Sequence, residues 1–272
     1  MLHLKTSGLI RNSVLLSFAL AGIASCSDND PASVEMQAGG AGSSPSAADI
    51  HEFSLVLDAH ADIVIPSTLR AYMSADGTSK VDPEKMRAGG VDAVVMSVAV
   101  GPGPRTMEGD AKARAEAVEK IAAVHTLVEE SQGQVVIATT SSEIVAAHEA
   151  GKSALILGFQ NARSLQGNVS AIDAFYAEGV RIFGLNHLGH NAFSDSSRPE
   201  FSGETGAFEV TEEHGGLSSL GVAAVERINA LGALVDVSQL SKGNSASARV
   251  NEQSNNCQSL KCENCFRCNP QS

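Results

Sequence analysis

A parallel α/β barrel is the fold this sequence predicts, and three observations carry the prediction. Short apolar runs alternate with amphipathic helical stretches from about His51 to Ser241. Runs of that kind are typical of parallel strands buried on both faces, with helices as the crossovers. Polar residues collect just past the ends of these runs: His60, Asp62, Gln160, Asn161, His187 and Gln239. That is where a TIM-like (β/α)8 barrel carries its chemistry. A doubly wound open sheet would need a glycine-rich phosphate loop after its first strand, and His60-Ala-Asp-Ile-Val64 contains no glycine.

The elements follow in order. Strands are expected at Phe53–Leu57, Val91–Val100, Val135–Ala138, Ala154–Phe159, Val180–Leu185 and Ala233–Val237. Apolar residues at helical spacing predict helices over Glu108–Glu130, Ser141–Ala150, Ser170–Glu178 and Ser218–Leu231. Ser-Ser-Glu opens the second of these as a cap, and Gly232 ends the last. Apolar periodicity stops at Leu240. A barrel of about 250 residues would still need roughly two more strand–helix units there, so the last strands are expected to be missing.

Composition narrows the function. Against 31 Asp and Glu stand 19 Lys and Arg, a net charge of −12, and no basic stripe is present. Nucleic acid is therefore excluded as a partner. Trp is absent and aromatics are few, so the core must come mainly from Val, Leu, Ile and Ala. The first residues are not part of the fold. Lys5 and Arg11 precede an apolar run from Val14 to Ile23, and small residues lead to Cys26. This is an export signal, too short for a comfortable membrane span. Ile23-Ala-Ser-Cys26 resembles a bacterial lipobox, which implies cleavage before Cys26 and lipidation of its thiol. Ser27 lacks the acidic character of an inner-membrane retention signal, so the outer membrane is the expected location. The domain plan is a signal peptide over 1–25, a lipidated Cys and flexible tether over 26–50, a partial barrel over 51–241 and a cysteine-rich tail over 242–272.

Val56-Leu-Asp-Ala-His-Ala-Asp-Ile-Val64 sets Asp58, His60 and Asp62 on alternate positions of an apolar segment. Strict strand alternation would point all three to one face. Such groups are costly to bury unless something pairs with them, and a divalent metal would do so.

A longer segment follows: Gly158-Phe-Gln-Asn-Ala, then Ala174-Phe-Tyr-Ala-Glu-Gly-Val-Arg-Ile-Phe-Gly-Leu-Asn-His187, then Asn191-Ala-Phe-Ser-Asp-Ser-Ser197. With the His60-Ala-Asp62 pair and Gly216–Ser241, these ordered blocks resemble the membrane dipeptidase (renal dipeptidase, peptidase M19) family. The resemblance covers about Leu55 to Ser241. It implies a barrel of the metal-dependent hydrolase type, a two-zinc centre and hydrolysis of dipeptides. His60 and Asp62 match the family's first-strand ligands. His187 matches the histidine that meets the substrate or the tetrahedral intermediate, with the role of stabilising developing negative charge. Asp58 is expected to orient a ligand histidine or to serve a structural role. His190 and His214 match no ligand and read as surface residues.

The sequence departs from the family pattern in three places. The bridging glutamate falls on Gln160 and a ligand histidine falls on Gln239, so both metal positions carry neutral oxygen donors. The second zinc is expected to be weak, leaving one or two ions. After Ser241 the family's further histidine, substrate-carboxylate arginine and catalytic aspartate find no counterpart. Cys257-x4-Cys262-x2-Cys265-x2-Cys268 fits a zinc or iron–sulfur site, two disulfides, or translation past a frameshift. The abrupt end of periodicity favours the last. The expected function is zinc-dependent dipeptide hydrolysis at the bacterial envelope, with a short peptide as substrate and the membrane reached through the N-terminal lipid. The alternatives are a non-catalytic barrel lipoprotein that binds a peptide or protein partner, and an amide hydrolase with another substrate. An unclosed sheet exposes two edges, which predicts aggregation or a homodimer.

Overall fold

The computed structural model describes residues 44–202 and 207–243. The signal segment, Cys26, most of the tether and the cysteine-rich tail lie outside the described residues. The element order is α1 (Ala47–Phe53), β1 (Leu57–Asp62), α2 (Pro83–Gly89), β2 (Ala93–Ala99), α3 (Met107–Glu130), β3 (Val135–Ile137), α4 (Ser141–Glu149) and β4 (Ser153–Gln160). Then come α5 (Ala171–Ala177), β5 (Val180–Gly184), β6 (Phe201–Ser202), β7 (Ala207–Phe208), α6 (Ser219–Ala230) and β8 (Leu234–Asp236).

The main sheet runs β1-β2-β4-β5-β8, all parallel, with β3 beside the first residues of β4. This is the α/β parallel sheet expected of the barrel. Among the described residues it does not close, and β1 and β8 are its edges. β2 and β4 are buried along their whole lengths, which is why their apolar runs were legible. One face carries the larger core. Val94, Met96, Val98, Leu155, Leu157 and Phe159 pack there with Ala117 and Ile121 of α3, Ile172 and Phe175 of α5, and Val225 and Ile228 of α6. Phe159 meets Phe175 edge-on, with ring centroids 4.8 Å apart. The other face holds a smaller cluster, Ala93, Val95, Ala154 and Ile156, with Ile144 and Ala147 of α4. Gln160 belongs to this second face, two residues beyond Gly158 and four beyond Ile156 along β4.

Two expectations at the start of the fold need correction. The chain is already helical from Ala47, inside the expected tether, because Ser46 and Asp49 form a reciprocal capping box. Phe53 therefore closes a helix instead of opening a strand, and β1 begins at Leu57. α2 was not foreseen, although Asp82-Pro83 is a start signal. Asp82 caps the Glu84 and Lys85 amides, and proline at the first helical position has no amide to leave unpaired.

α3 starts against the loop that follows β2. Thr106 caps the Gly109 amide, and Arg163 pins the loop. A β-carbon on Gly109 would lie 2.0 Å from the Pro104 carbonyl oxygen. Both atoms are backbone-fixed, so neither yields cheaply. Gly109→Ala is expected to cost about 1–3 kcal/mol by forced overpacking. A lowered urea midpoint with an unchanged m-value is the signature to measure.

Candidate metal-dependent hydrolase site

The C-terminal ends of four strands meet at one cavity of about 400 Å³, whose lining includes His60, Asp62, Gln160, His187, Gln239, Glu116 and Lys120. β1 delivers His60 and Asp62, β4 ends on Gln160, His187 follows β5, and Gln239 follows β8. The parallel register sets their level. Asp62 lies beside Ser97, Ala99 beside Gln160, and Gln160 beside Gly184. Glycine at 184 leaves Asp236 within reach of the same layer, 3.6 Å from where a β-carbon would stand.

Asp58 does not join them. The β1–β2 register shifts by one residue between Asp58 and Ala61, so Asp58 pairs with Val94 while Asp62 pairs with Ser97. A bulge of this kind breaks strand alternation and re-aims the side chains after it. Asp58 is thus turned to the face of Val94. Its carboxylate accepts the His60 backbone N–H at 3.0 Å, so it braces the bulge main chain and not an imidazole ring. Of the two roles expected of Asp58, this contact is the structural one.

Gln160 is 5% exposed, whereas His60 stands exposed at the mouth and Asp62 is half-buried. Gln239 presents a buried side-chain oxygen, Oε1, with no hydrogen-bond partner. An unpaired acceptor is costly in such a place. Half-buried His187 directs Nδ1 at the Val100 carbonyl, 3.3 Å away. A carbonyl only accepts, so Nδ1 carries the proton and Nε2 is bare in the neutral ring. Burial pushes the His187 pKa down, against the opposing pull of the Val100 carbonyl and Asp62. A neutral ring of this tautomer accepts a proton at Nε2. Stabilising negative charge, the role expected from sequence, requires that it first gain one.

The loop over 185–200 was read only as a motif, and its buried polar residues were missed as structure. Asn191 donates to the Leu185 carbonyl at 2.7 Å and accepts the Phe193 amide at 2.9 Å. Asp195 is fully buried and accepts the amides of Glu213, His214 and Gly216. Burial pulls its pKa upward, but those amide bonds outweigh it and hold the carboxyl below its ordinary value. His190 lies 3.7 Å from Asp195, yet its Nδ1 accepts the Ser196 amide and its Nε2 faces the Val210 carbonyl. That pattern fixes a neutral imidazole, so the pair is not an ion pair. His190 is 2% exposed, and His214 is half-buried with Nε2 at 2.9 Å from the Asn191 carbonyl. Neither is the surface residue expected; both tie the loop together. Asn161, beside Gln160, has φ of 86° and is held there by its side-chain bond to the Val100 carbonyl at 3.1 Å. Arg163 adds bonds to Asp110 and to the carbonyls of Gly101 and Pro104, fixing the loop that roofs the cavity.

A parallel sheet delivering a histidine, a carboxylate and carboxamides to one mouth is the arrangement in which an α/β barrel carries its chemistry. The model of the membrane dipeptidase family, peptidase family M19, matches residues 45–250, and the chain belongs to that family. Dipeptidase verJ of Clonostachys rogersoniana is 30% identical over 124 residues, 46% of this chain and 29% of that protein. Dipeptidase aclJ of Aspergillus oryzae (strain ATCC 42149 / RIB 40) is 33% identical over 94 residues, 35% of this chain and 20% of that protein. The crystal structure of the probable dipeptidase PvdM from Pseudomonas aeruginosa superposes with a TM-score of 0.63 at 29% identity, over 75% of this chain and 51% of that one. The chain thus spans less than two thirds of each.

Family membership implies a metal cofactor. Among the described residues no group of three or more His, Cys, Asp or Glu is placed to hold one. His60 and Asp62 therefore need neutral donors, and the unpartnered Gln239 oxygen is such a donor on the same cavity. Nitrogen, carboxylate and carboxamide oxygen together fit a divalent ion.

Proposed function

We propose that this chain hydrolyses short peptides, dipeptides above all, with zinc held by His60, Asp62, Gln239 and Gln160. The observation that carries the reading is the convergence of these side chains and His187 on one cavity at the strand ends. Zinc, when bound, supplies a Lewis acid that polarises the scissile carbonyl and acidifies water. His187 takes a proton at Nε2 and returns it to the leaving amine, while its Nδ1–H stays on the Val100 carbonyl. Asn161 holds the main chain beside Gln160 on the Val100 carbonyl, and Arg163 holds the loop whose Gly101 and Pro102 line the cavity. The dipeptidase names of the relatives support a substrate with one residue on each side of the bond.

The place of action in this reading is the bacterial envelope, on the outer membrane, with Cys26 lipidated and a flexible tether to the barrel. Among the described residues no helix is long and apolar enough to cross a membrane; the lipid on Cys26 is the proposed anchor. A homodimer along the β1 and β8 edges, unpaired among the described residues, belongs to this proposal, and light scattering on the purified chain tests it.

The test is a dipeptide panel assayed with metal-free protein before and after zinc is restored. Hydrolysis that returns with zinc supports the proposal. Dipeptide binding without turnover at any metal level would replace it with the binding-barrel alternative. His187→Gln is expected to lower kcat by about 10²–10⁴ while bound zinc stays unchanged. Loss of zinc in that variant would make His187 a ligand instead.

A further inference from the structure

Lys120 lines the same cavity, and the hydrolytic reading gives it no part. It lies within α3 and is 8% exposed. Its Nζ donates to the carbonyl of Ala99, the last residue of β2, and stands 2.9 Å from Glu116 Oε1. Lysine is rarely buried unless partners hold its charge, and here they hold it in a cavity wall.

The charges of that wall can be counted group by group. Its carboxylates are Asp62 and Glu116, and Glu116 is paired with Lys120. Among the described residues, that leaves Asp62 as the one carboxylate of the lining without a cationic partner. Gln160 and Gln239 are neutral, and an imidazole that ligates a metal brings no charge of its own.

We infer that the cavity holds one divalent cation and not two, because the Lys120 ammonium holds Glu116 and leaves a single carboxylate of the wall for metal. The inference rests on the metal reading of the site. Two dications about 3.5–4 Å apart repel with four times the energy of unit charges at that distance. Two-ion sites meet this repulsion with anionic ligands between the ions. This wall offers one free carboxylate, two carboxamides and a carboxylate already held by an ammonium. Gln239 Oε1, buried without a partner, completes a set for a single ion with His60 and Asp62.

The test counts ions and does not depend on turnover. The tag-free full chain, stripped of metal, is titrated with Mn²⁺ by calorimetry and by electron paramagnetic resonance. Mn²⁺ favours carboxylate and carbonyl oxygen over thiolate, so the cysteine-rich tail does not enter the count. One ion per chain is expected, lost in His60→Ala. Lys120→Met, which removes the ammonium and frees Glu116, is expected to tighten that ion by about tenfold. Should Lys120→Met fail to fold, Gln160→Glu adds a carboxylate with Lys120 in place and is expected to tighten the same ion without adding a second. Two ions in the unaltered chain, showing the spin coupling of neighbouring Mn²⁺, would overturn the inference while leaving the metal reading intact. No ion at millimolar Mn²⁺ would overturn both. An affinity unmoved by Lys120→Met, in protein folded by circular dichroism, would remove Lys120 from the argument and overturn its part.

Discussion

His60→Ala is expected to abolish metal-dependent dipeptide hydrolysis and to empty the cavity of its ion, with the fold unchanged. The two halves of that expectation have separate causes. His60 is exposed and adds nothing to either core cluster, and its backbone bond to Asp58 survives truncation to alanine. Stability should therefore move by no more than about 0.5 kcal/mol. The imidazole is the site's nitrogen donor from β1, and the remaining set is one carboxylate with neutral oxygens. Loss of a group that merely supports a ligand costs about 10–100-fold in affinity or activity, and loss of the ligand should exceed that. The comparison that isolates the effect is Asp58→Ala. A strict alternation would make the two variants similar. The bulge turns Asp58 to the opposite face, so Asp58→Ala should keep bound metal and most of its kcat/KM. Metal content and kcat/KM measured on both variants decide the matter. Turnover within tenfold of the unaltered chain in His60→Ala would remove β1 from the site.

How much of this was legible in the sequence depends on whether the deciding contact is local. β2 and β4 announce themselves because burial on both faces demands an unbroken apolar run. α3 follows its own periodicity from Met107 to Glu130. The cavity residues were legible as polar groups at strand ends, since a parallel barrel has one functional end. What was not legible depends on distant partners. Lys120 sits four residues after Glu116 and reads as half of a solvated helical ion pair. Its burial comes from the Ala99 carbonyl, 21 residues away in sequence. His190 lies in a polar, glycine-containing loop and looks exposed. It is buried because Ser196 and Val210 close around both ring nitrogens. The bulge in β1 leaves no mark in Leu57–Asp62, because the extra residue is defined only against β2.

The largest loss of stability is expected at Asp195, which touches no substrate group in the proposed reaction. Its two carboxylate oxygens accept amides from Glu213, His214 and Gly216, at 2.8–3.2 Å. Its own amide donates to the Gly216 carbonyl, and its carbonyl accepts the Ser241 amide. One residue thereby ties the loop after β5 to the segment before α6 and to the segment after β8. Asp195→Ala strips the acceptors from three amides. At about 1–3 kcal/mol for each donor left unpaired away from water, and less for those that water can reach, the cost should come to about 3–5 kcal/mol. Asp195→Asn should fare little better, since its NH2 would face an amide donor. The pH dependence gives an independent check. The carboxyl is held below its ordinary value in the folded chain, so its contribution is complete above the unfolded value of about 3.9. That contribution must fade as pH drops below that value towards the folded one. Urea midpoints measured from pH 6 downward should therefore fall steeply below about pH 4 in the unaltered chain, and with a shallower slope in Asp195→Asn. The same tie reaches the cavity, because the Ser197 amide, two residues on, donates to the Gln239 carbonyl at 3.0 Å. Weakened Mn²⁺ binding in Asp195→Asn, at a pH and temperature where it is still folded, would show that this loop positions Gln239. Equal slopes and equal affinity in the two proteins would show that it does neither.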